Sequence, residues 1–133
     1  MIQKISHLGI AVNCLEEALP LYTEALGLKV EEIETVPEQK VRVAMLTVGE
    51  SRIELLESTD PEGPLGKYLA KKGEGIHHLA LEVDDIDAAL GQLIARGVPL
   101  IDNVPRKGAA GSRMAFLHPR GSKILIELVE HQK

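Results

Sequence analysis

The segment Ile5-Ser6-His7-Leu8-Gly9-Ile10-Ala11-Val12-Asn13 recurs 71 positions later as Ile76-His77-His78-Leu79-Ala80-Leu81-Glu82-Val83-Asp84. The later segment Ile53–Glu57 returns in the same way, 73 positions on, as Ile126–Glu130. Matches that recur in the same order along a chain indicate that one structural module has been duplicated.

Each copy reads as one strand, one helix and three further strands. Alternating apolar residues predict the first strand over Ile5–Val12, and Asn13 with Glu16 resembles a capping box for a helix over about Leu15–Leu26. Pro20 lacks the N–H that a helix interior uses, so we expect a kink or a later start there. The remaining strand-like and helical segments are, in chain order, Leu28–Val36, Val41–Val48, Arg52–Glu57, a short helix at Leu65–Lys72, Ile76–Val83, a helix at Asp85–Arg96, Leu100–Val104, Arg113–His118 and Lys123–Val129.

This order predicts an α+β fold built from two tandem βαβββ modules with curved mixed sheets. The modules cover residues about 4–58 and about 75–131, with a linker helix at about 64–72. At 133 residues the chain has the size of one domain, and it is long enough to bury a core.

The composition excludes several classes of function. The chain has 15 Lys and Arg against 20 Asp and Glu, a net charge of −5, and three aromatic side chains, so it lacks the basic face and stacking surface of nucleic-acid binders. No apolar run approaches the roughly 18 residues that span a membrane. The segment Met1–Lys4 is not followed by the apolar stretch that is typical of a signal peptide, so we expect none. The single Cys14 cannot form an internal disulfide, which fits a reducing compartment. We therefore expect a cytoplasmic protein that binds neither nucleic acid nor membrane.

Four residues occupy equivalent positions in the two modules: His7 with His78, and Glu54 with Glu127. Since side chains alternate along a strand, each of the four should point away from the face that packs on the helix. If the two sheets meet about a pseudo-twofold axis, they enclose a cavity in which these donors converge, and two imidazoles with two carboxylates suit a first-row divalent metal. A single strand His or Glu is more often structural, but four at repeat-equivalent positions favour a metal site. The histidines that we expect to pack or to serve elsewhere are His77, His118 and His131.

Several short motifs give the chain a family resemblance. They are Glu38-Gln39-Lys40-Val41, Ile53-Glu54-Leu55-Leu56-Glu57, Gly73-Glu74-Gly75-Ile76-His77-His78, Val83-Asp84-Asp85-Ile86 and Phe116-Leu117-His118-Pro119. Together they resemble the methylmalonyl-CoA epimerases, a family of the vicinal oxygen chelate superfamily, and the likeness runs from about Ile5 to Glu130. The glycine-flanked double His and the Phe-Leu-His-Pro run are the motifs most specific to the epimerases.

The resemblance implies an activity and a site. Epimerases of this family interconvert (R)- and (S)-methylmalonyl-CoA by removing the α-proton and returning it through a metal-stabilised enolate. The four metal ligands that the resemblance implies are His7, Glu54, His78 and Glu127. It also implies that Glu127 is one acid/base, that cobalt is the favoured ion with manganese, nickel and zinc compatible, and that a homodimer binds a coenzyme A thioester.

The chain departs from this family at the second acid/base. Several epimerases carry Glu in the strand after the Glu-Gln turn, where this chain has Val43. We therefore hypothesise that Glu54 is the second base, acting while coordinated or partly displaced, with a metal-bound water as the alternative. Some epimerases have Gln at the position of Glu54, so the site of this chain is one charge more anionic.

The coenzyme A end of such a substrate needs donors for its phosphates. The residues that we expect to supply them are Arg106, Lys107, Ser112 and Arg113. They lie in or beside a loop, residues 108–112, whose backbone N–H groups can also bind phosphate. A cluster of basic side chains is, however, more often only a solvated face.

Two other functions stay open at this point. Glyoxalase I, a lactoylglutathione lyase, uses His, Glu, His and Glu at comparable spacing, so the ligands alone do not separate it from an epimerase. The double-His and Phe-Leu-His-Pro motifs favour the epimerase. A metal-free small-molecule binding protein of the same fold usually lacks the ligands, so four intact donors argue against that function.

Overall fold

The computed structural model describes residues 1–131, which form eight strands and four α-helices. In chain order these are β1 (Ile2–Ala11), α1 (Leu15–Pro20), β2 (Lys29–Val36), β3 (Val41–Val48), β4 (Ser51–Ser58), α2 (Pro64–Lys72), β5 (Gly75–Val83), α3 (Ile86–Ala95), β6 (Arg106–Lys107), β7 (Arg113–Phe116), α4 (Pro119–Ser122) and β8 (Ile126–Glu130). The predicted α+β class is confirmed, because the βαβββ order occurs twice: β1, α1, β2, β3, β4 and then β5, α3, β6, β7, β8.

The chain divides into two compact units, which we call the first unit and the second unit. The first unit comprises residues 7–77, and the second comprises residues 1–6 together with those from residue 78 on. The boundaries therefore fall at His7, within β1, and at His78, within β5. That the whole chain folds as one domain stays a prediction.

In the first unit the strand order is β2-β3-β4-β1. The pairing is antiparallel from β2 to β4 and parallel between β4 and β1. One face of this sheet carries a core in which Leu15 of α1 packs with Val12, Ala44, Leu46 and Leu55. Burial of each large apolar side chain stabilises the unit by roughly 1.5–3 kcal/mol. Because side chains alternate along a strand, the opposite face of β1 and β4 is left for His7 and Glu54.

In the second unit the strand order is β5-β8-β7-β6, with β5 parallel to β8 and the other pairs antiparallel. Helix α3 begins after Asp85, whose Oδ1 accepts the backbone N–H of Ala88 at 3.1 Å. This N-cap satisfies a donor that the first turn would otherwise leave unpaired. The core that α3 covers consists of Val83, Ile86, Ala89, Leu90, Ala115 and Leu128.

Helix α1 differs from the expected helix at its start and at Pro20. The N-cap residue is Cys14, and its side chain makes no capping hydrogen bond. The backbone N–H of Asn13, which a capping box would pair with Glu16, donates to Glu74 Oε2 at 2.8 Å. The predicted capping box is therefore wrong. At Pro20 the helix passes into a π-helix over Leu21–Ala25, which is how the chain accommodates a residue without an N–H.

The strand expected at Leu100–Val104 is absent from the described part of the chain. Leu100 makes only an isolated bridge, to Leu117. The backbone N–H groups of Ile101 and Asp102 both donate to the Phe116 carbonyl of β7, at 3.0 Å and 3.2 Å, and the Phe116 N–H donates to Asp102 Oδ2 at 2.9 Å. These contacts take the place of a regular ladder, and regular pairing with β7 occurs at β6.

The helices of residues 1–131 are all too short or too polar to cross a bilayer. The longest of those given above, α3, has 10 residues, about half of what a membrane-spanning helix needs.

Candidate active site

The first unit holds a buried His–Glu pair where β1 lies beside β4. In the parallel register of these strands Arg52 is the partner of His7, and Glu54 is the partner of Gly9, so the His7 and Glu54 side chains share one face of the sheet. His7 Nδ1 lies 3.3 Å from Glu54 Oε2, and the two side chains are 4% and 6% exposed. Both groups are therefore held almost entirely out of water.

The second unit holds the matching pair where β5 lies beside β8. His78 Nε2 lies 3.1 Å from Glu127 Oε1, with side chains that are 5% and 9% exposed. Glu127 is the register partner of Ala80, as Glu54 is of Gly9. The His78 ring meets Phe116 edge-on with ring centroids 5.8 Å apart. The other apolar side chains buried with Phe116 are Ala80, Met114 and Val129, so this carboxylate borders an apolar wall.

The donor separations within each pair match those of two ligands on one metal ion. With metal–ligand bonds of ~2.1 Å, neighbouring donors of an octahedral or tetrahedral site are ~3.0–3.4 Å apart. The 3.3 Å and 3.1 Å separations fall in that range. The described residues include three buried donors of the kinds that such ions bind, His7, His78 and Glu127. Imidazole and carboxylate together fit a divalent first-row ion.

Arg52 belongs to the site of the first unit, and the sequence reading missed it. Its Nη2 donates to Glu54 Oε2 at 2.9 Å, and its side chain is 19% exposed. The order Arg52-Ile53-Glu54 already indicates that Arg52 and Glu54 lie on the same face of the sheet, because residues two apart on a strand share a face. A cation placed beside a buried carboxylate reduces the electrostatic cost of burying that carboxylate.

The residues expected to bind coenzyme A lie on one short segment of the second unit. Lys107 of β6 is the register partner of Arg113 of β7. Arg113 is already paired, with Asp87 at 3.0 Å and with Glu130 at 3.3 Å.

The other two candidates for coenzyme A binding are also engaged within this segment. Arg106 Nε lies 3.1 Å from Asp102 Oδ1, and the guanidinium lies over the Phe116 ring at 5.6 Å. Ser112 is buried and donates to the Ala109 carbonyl at 2.8 Å, which closes the loop.

Gly108 lets this loop pack closely against its own C-terminal end. A Cβ at Gly108 would lie 2.6 Å from Ser112 Oγ and 2.9 Å from Met114 Cγ, so a larger residue would displace the loop. Ala110 has a positive φ of 56°, a conformation that costs energy for a residue with a side chain. The loop is closed by hydrogen bonds of its own, because the Gly108 N–H donates to the Ser112 carbonyl at 2.9 Å and the Ser112 N–H donates to the Ala109 carbonyl at 3.1 Å.

The remaining singled-out residues lie outside the two His–Glu pairs. Val43 is buried opposite Glu34 of β2 and Leu56 of β4, and it offers no titratable group. The His77 ring stacks edge-on against Tyr68 with centroids 4.7 Å apart.

The last two histidines have local hydrogen-bonding roles. His118 Nδ1 accepts the backbone N–H of Arg120 at the start of α4. His131 Nε2 lies 2.9 Å from Ser6 Oγ and 3.6 Å from Glu82 Oε1. Both contacts lie within the second unit.

The chain is similar to known proteins over nearly its whole length. The sequence model of the glyoxalase/bleomycin resistance protein/dioxygenase superfamily matches residues 6–116. The chain is 37% identical over 131 residues to the mitochondrial methylmalonyl-CoA epimerase of Dictyostelium discoideum, covering 97% of this chain and 79% of that protein. It is 36% identical over 131 residues to the ethylmalonyl-CoA/methylmalonyl-CoA epimerase of Cereibacter sphaeroides, covering 96% and 98%. A solved structure of a variant of Streptomyces coelicolor methylmalonyl-CoA epimerase, in complex with 2-nitronate-propionyl-CoA, is 38% identical and superposes with a TM-score of 0.96 over 100% of both chains.

Proposed function

We propose that this chain, which belongs to the glyoxalase/bleomycin resistance protein/dioxygenase superfamily and within it to the methylmalonyl-CoA epimerases, interconverts (R)- and (S)-methylmalonyl-CoA. The observation that carries this proposal is the duplicated buried His–Glu pair in a chain that resembles epimerases over nearly its whole length. Epimerisation removes the proton between a carboxylate and a thioester and returns one to the opposite face. Such a reaction needs an acid/base on each side and stabilisation of the enolate charge.

The metal ligands in this proposal are His7, Glu54, His78 and Glu127. Their burial and the 3.1–3.3 Å donor separations within each pair support a divalent ion, and cobalt is the ion that we favour over manganese, nickel and zinc. When bound, such an ion supplies a Lewis acid that stabilises negative charge on substrate oxygens.

Glu127 is the group that we assign as one acid/base. It lies beside the apolar wall of Phe116, Met114 and Val129, which keeps bulk water from the proton that it would carry. His78 Nε2 at 3.1 Å fixes the orientation of the carboxylate, so that proton transfer needs no rearrangement of the side chain.

Glu54 is the group that we assign as the other acid/base. Its Oε2 is shared by Arg52 Nη2 and His7 Nδ1, which leaves Oε1 as the oxygen for proton transfer. Val43 cannot take this role because a valine side chain has no proton to exchange.

The coenzyme A phosphates are assigned to the segment that contains Arg106, Lys107, Ser112 and Arg113. Arg113 is held by two carboxylates and Arg106 by one, that of Asp102, so we expect Arg106 and Lys107 to contribute more to phosphate binding than Arg113. Charge reversal of both residues should raise KM for the thioester, and an unchanged KM would remove the assignment. Full activity on a truncated thioester without the nucleotide serves as the control for the chemistry.

A cytoplasmic homodimer completes the proposal. The single Cys14 fits a reducing compartment. Exposed apolar side chains such as Ile76 and Val104, at 64% and 71%, provide surface that a second copy could cover. Light scattering of the purified protein measures the mass directly, and a monomeric mass would overturn the dimer without touching the activity.

The reaction is tested by proton NMR of methylmalonyl-CoA in deuterated water. Cobalt-loaded protein should exchange the α-proton far faster than chelator-treated protein, because enolisation needs the ion. Re-addition of cobalt should restore exchange. Absence of exchange with each of cobalt, manganese, nickel and zinc would overturn the proposal, and the protein would then be assayed on a glutathione hemithioacetal. No bound or bindable divalent ion would instead favour a metal-free binding protein.

A further inference from the structure

We infer that Arg52 is a positioning residue that compensates the charge of the metal site, an inference that rests on the ligation proposed above for Glu54. Its Nη2 lies 2.9 Å from Glu54 Oε2, the same oxygen that lies 3.3 Å from His7 Nδ1. The guanidinium therefore fixes which carboxylate oxygen faces the imidazole. It also places one positive charge against the negative charge of that ligand.

The guanidinium keeps this position although one of its donors is unused. The Nε of Arg52 is buried and has no hydrogen-bond partner within residues 1–131, and a buried N–H without a partner is destabilising. If the side chain served only to fill space, an apolar side chain of similar size would fill it without burying an unpaired N–H. The contact that offsets the cost is the charge-assisted bond to Glu54.

The duplicated module shows that the fold itself does not need a cation at this place. The parallel register of β1 with β4 repeats in that of β5 with β8, which makes Leu125 the equivalent of Arg52. Leu125 directly precedes β8 and is uncharged, yet its carbonyl accepts the Leu79 N–H at 3.1 Å and the strands pair from Leu79 and Ile126 onward. Arg52 is therefore tied to the first pair, and not to the βαβββ framework.

Charge compensation has a consequence that simple packing does not have. With both residues present, Arg52 and Glu54 contribute about zero net charge to a bound dication. Removing only the carboxylate leaves a buried guanidinium close to that dication, where repulsion is weakly screened. Removing both charges leaves a neutral pair. The substitution of Arg52 should therefore restore most of the metal affinity that the substitution of Glu54 removes.

The test is the Co²⁺ affinity of chelator-stripped protein, measured by competition with a chromophoric chelator. E54Q should weaken Co²⁺ binding by on the order of 10–100-fold. R52Q/E54Q should recover most of that loss, to within about fivefold of the unmodified protein, since coupled neighbours are not additive. R52K/E54Q keeps the cation and should stay as weak as E54Q. A double variant R52Q/E54Q that binds Co²⁺ no better than E54Q would overturn the inference, and so would equal recovery in R52K/E54Q.

Three controls keep the result interpretable. R42Q/E54Q removes an arginine that pairs with Glu16 and Glu57, outside the site, and should bring no recovery. Circular dichroism checks that each variant folds, and Arg52→Leu, which copies Leu125, replaces Arg52→Gln if that variant does not. If the unmodified protein binds none of the four ions, the proposed metal site itself fails; if it binds Co²⁺ and the recovery is absent, only the role of Arg52 fails.

Discussion

The two units carry the same His–Glu pair in different surroundings. In the first unit, the Glu54 carboxylate that meets His7 also binds Arg52. In the second unit, the position equivalent to Arg52 holds Leu125, and the His78 ring packs against Phe116. One copy of the module is polar and charge-balanced around its carboxylate, whereas the other is apolar.

The contacts of the two carboxylates suggest different roles. Glu54 Oε2 is held by both Arg52 and His7, whereas the Glu127 carboxylate contacts His78 beside an apolar wall. We therefore propose that Glu127 is the main acid/base and that Glu54 contributes more to holding the metal. The substitutions below test both roles.

The largest effect is expected for Glu127→Gln. The amide can still bind a metal, but it cannot exchange a proton, so turnover should fall by roughly 10²–10⁴-fold. The rate of α-proton exchange by NMR and the metal content by mass spectrometry separate the two roles. Near-normal turnover would remove Glu127 from proton transfer. The matched control is Glu130→Gln, three residues on, where the carboxylate pairs with Arg113 at the surface.

A smaller loss is expected for Glu54→Gln, assayed at saturating cobalt so that weaker metal binding does not lower the rate. If Glu54 is the second base, turnover falls by about 10–100-fold with full metal content, less than for Glu127→Gln. Full turnover with full metal content would exclude Glu54 as the base. Loss of exchange for one enantiomer of the substrate but not the other would show which face Glu54 serves.

The βαβββ order and the two His–Glu pairs could be predicted from the sequence. The repeat beginning at Ile5 and Ile76 and the two-residue period of strands together determine which residues share a face. That is enough to place His7 with Glu54, and His78 with Glu127, on the faces opposite the helices.

The missed features depend on contacts that periodicity does not encode. The role of Arg52 requires the distance between its guanidinium and a particular carboxylate oxygen, and alternation gives only the shared face. The expected strand at Leu100–Val104 failed because the Asp102 side chain accepts the Phe116 N–H, and the N–H groups of Ile101 and Asp102 share one carbonyl, that of Phe116. The π-helix after Pro20 follows from the absence of one N–H, but the form of the kink depends on how Leu21–Ala25 packs.

Leu125→Arg tests whether the apolar surroundings of Glu127 matter, because it gives the second unit the cation of the first. An arginine there would bind the Glu127 carboxylate as Arg52 binds Glu54 and restrain it from reaching the substrate proton, so turnover should fall by on the order of tenfold. Metal binding should change less than turnover. Leu125→Met, which changes shape without adding charge, is the control. Unchanged turnover in a folded Leu125→Arg protein would mean that the apolar surroundings of Glu127 do not matter for its role.

The smallest effect is expected for Arg42→Gln, which tests whether an arginine of the first unit matters only when it touches the His–Glu pair. Arg42 Nη2 lies 2.8 Å from Glu16, and its Nε lies 2.9 Å from Glu57. Turnover and Co²⁺ affinity should not change, because none of these groups contacts His7 or Glu54. The change should appear only as a small drop in Tm near neutral pH, since such partly exposed ion pairs contribute little.

The pH dependence of that drop in Tm follows from Glu16. Its hydrogen bond with Arg42 holds the pKa of the Glu16 carboxyl below its ordinary value of 4.5. The stabilisation is therefore complete above pH 4.5 and disappears as the pH falls through the lowered pKa of the folded state. The Tm difference between the variant and the unmodified protein should narrow on acidification below that pH. A difference that is constant from neutral to acidic pH would show that Arg42 stabilises the first unit by packing, without a contribution from its charge.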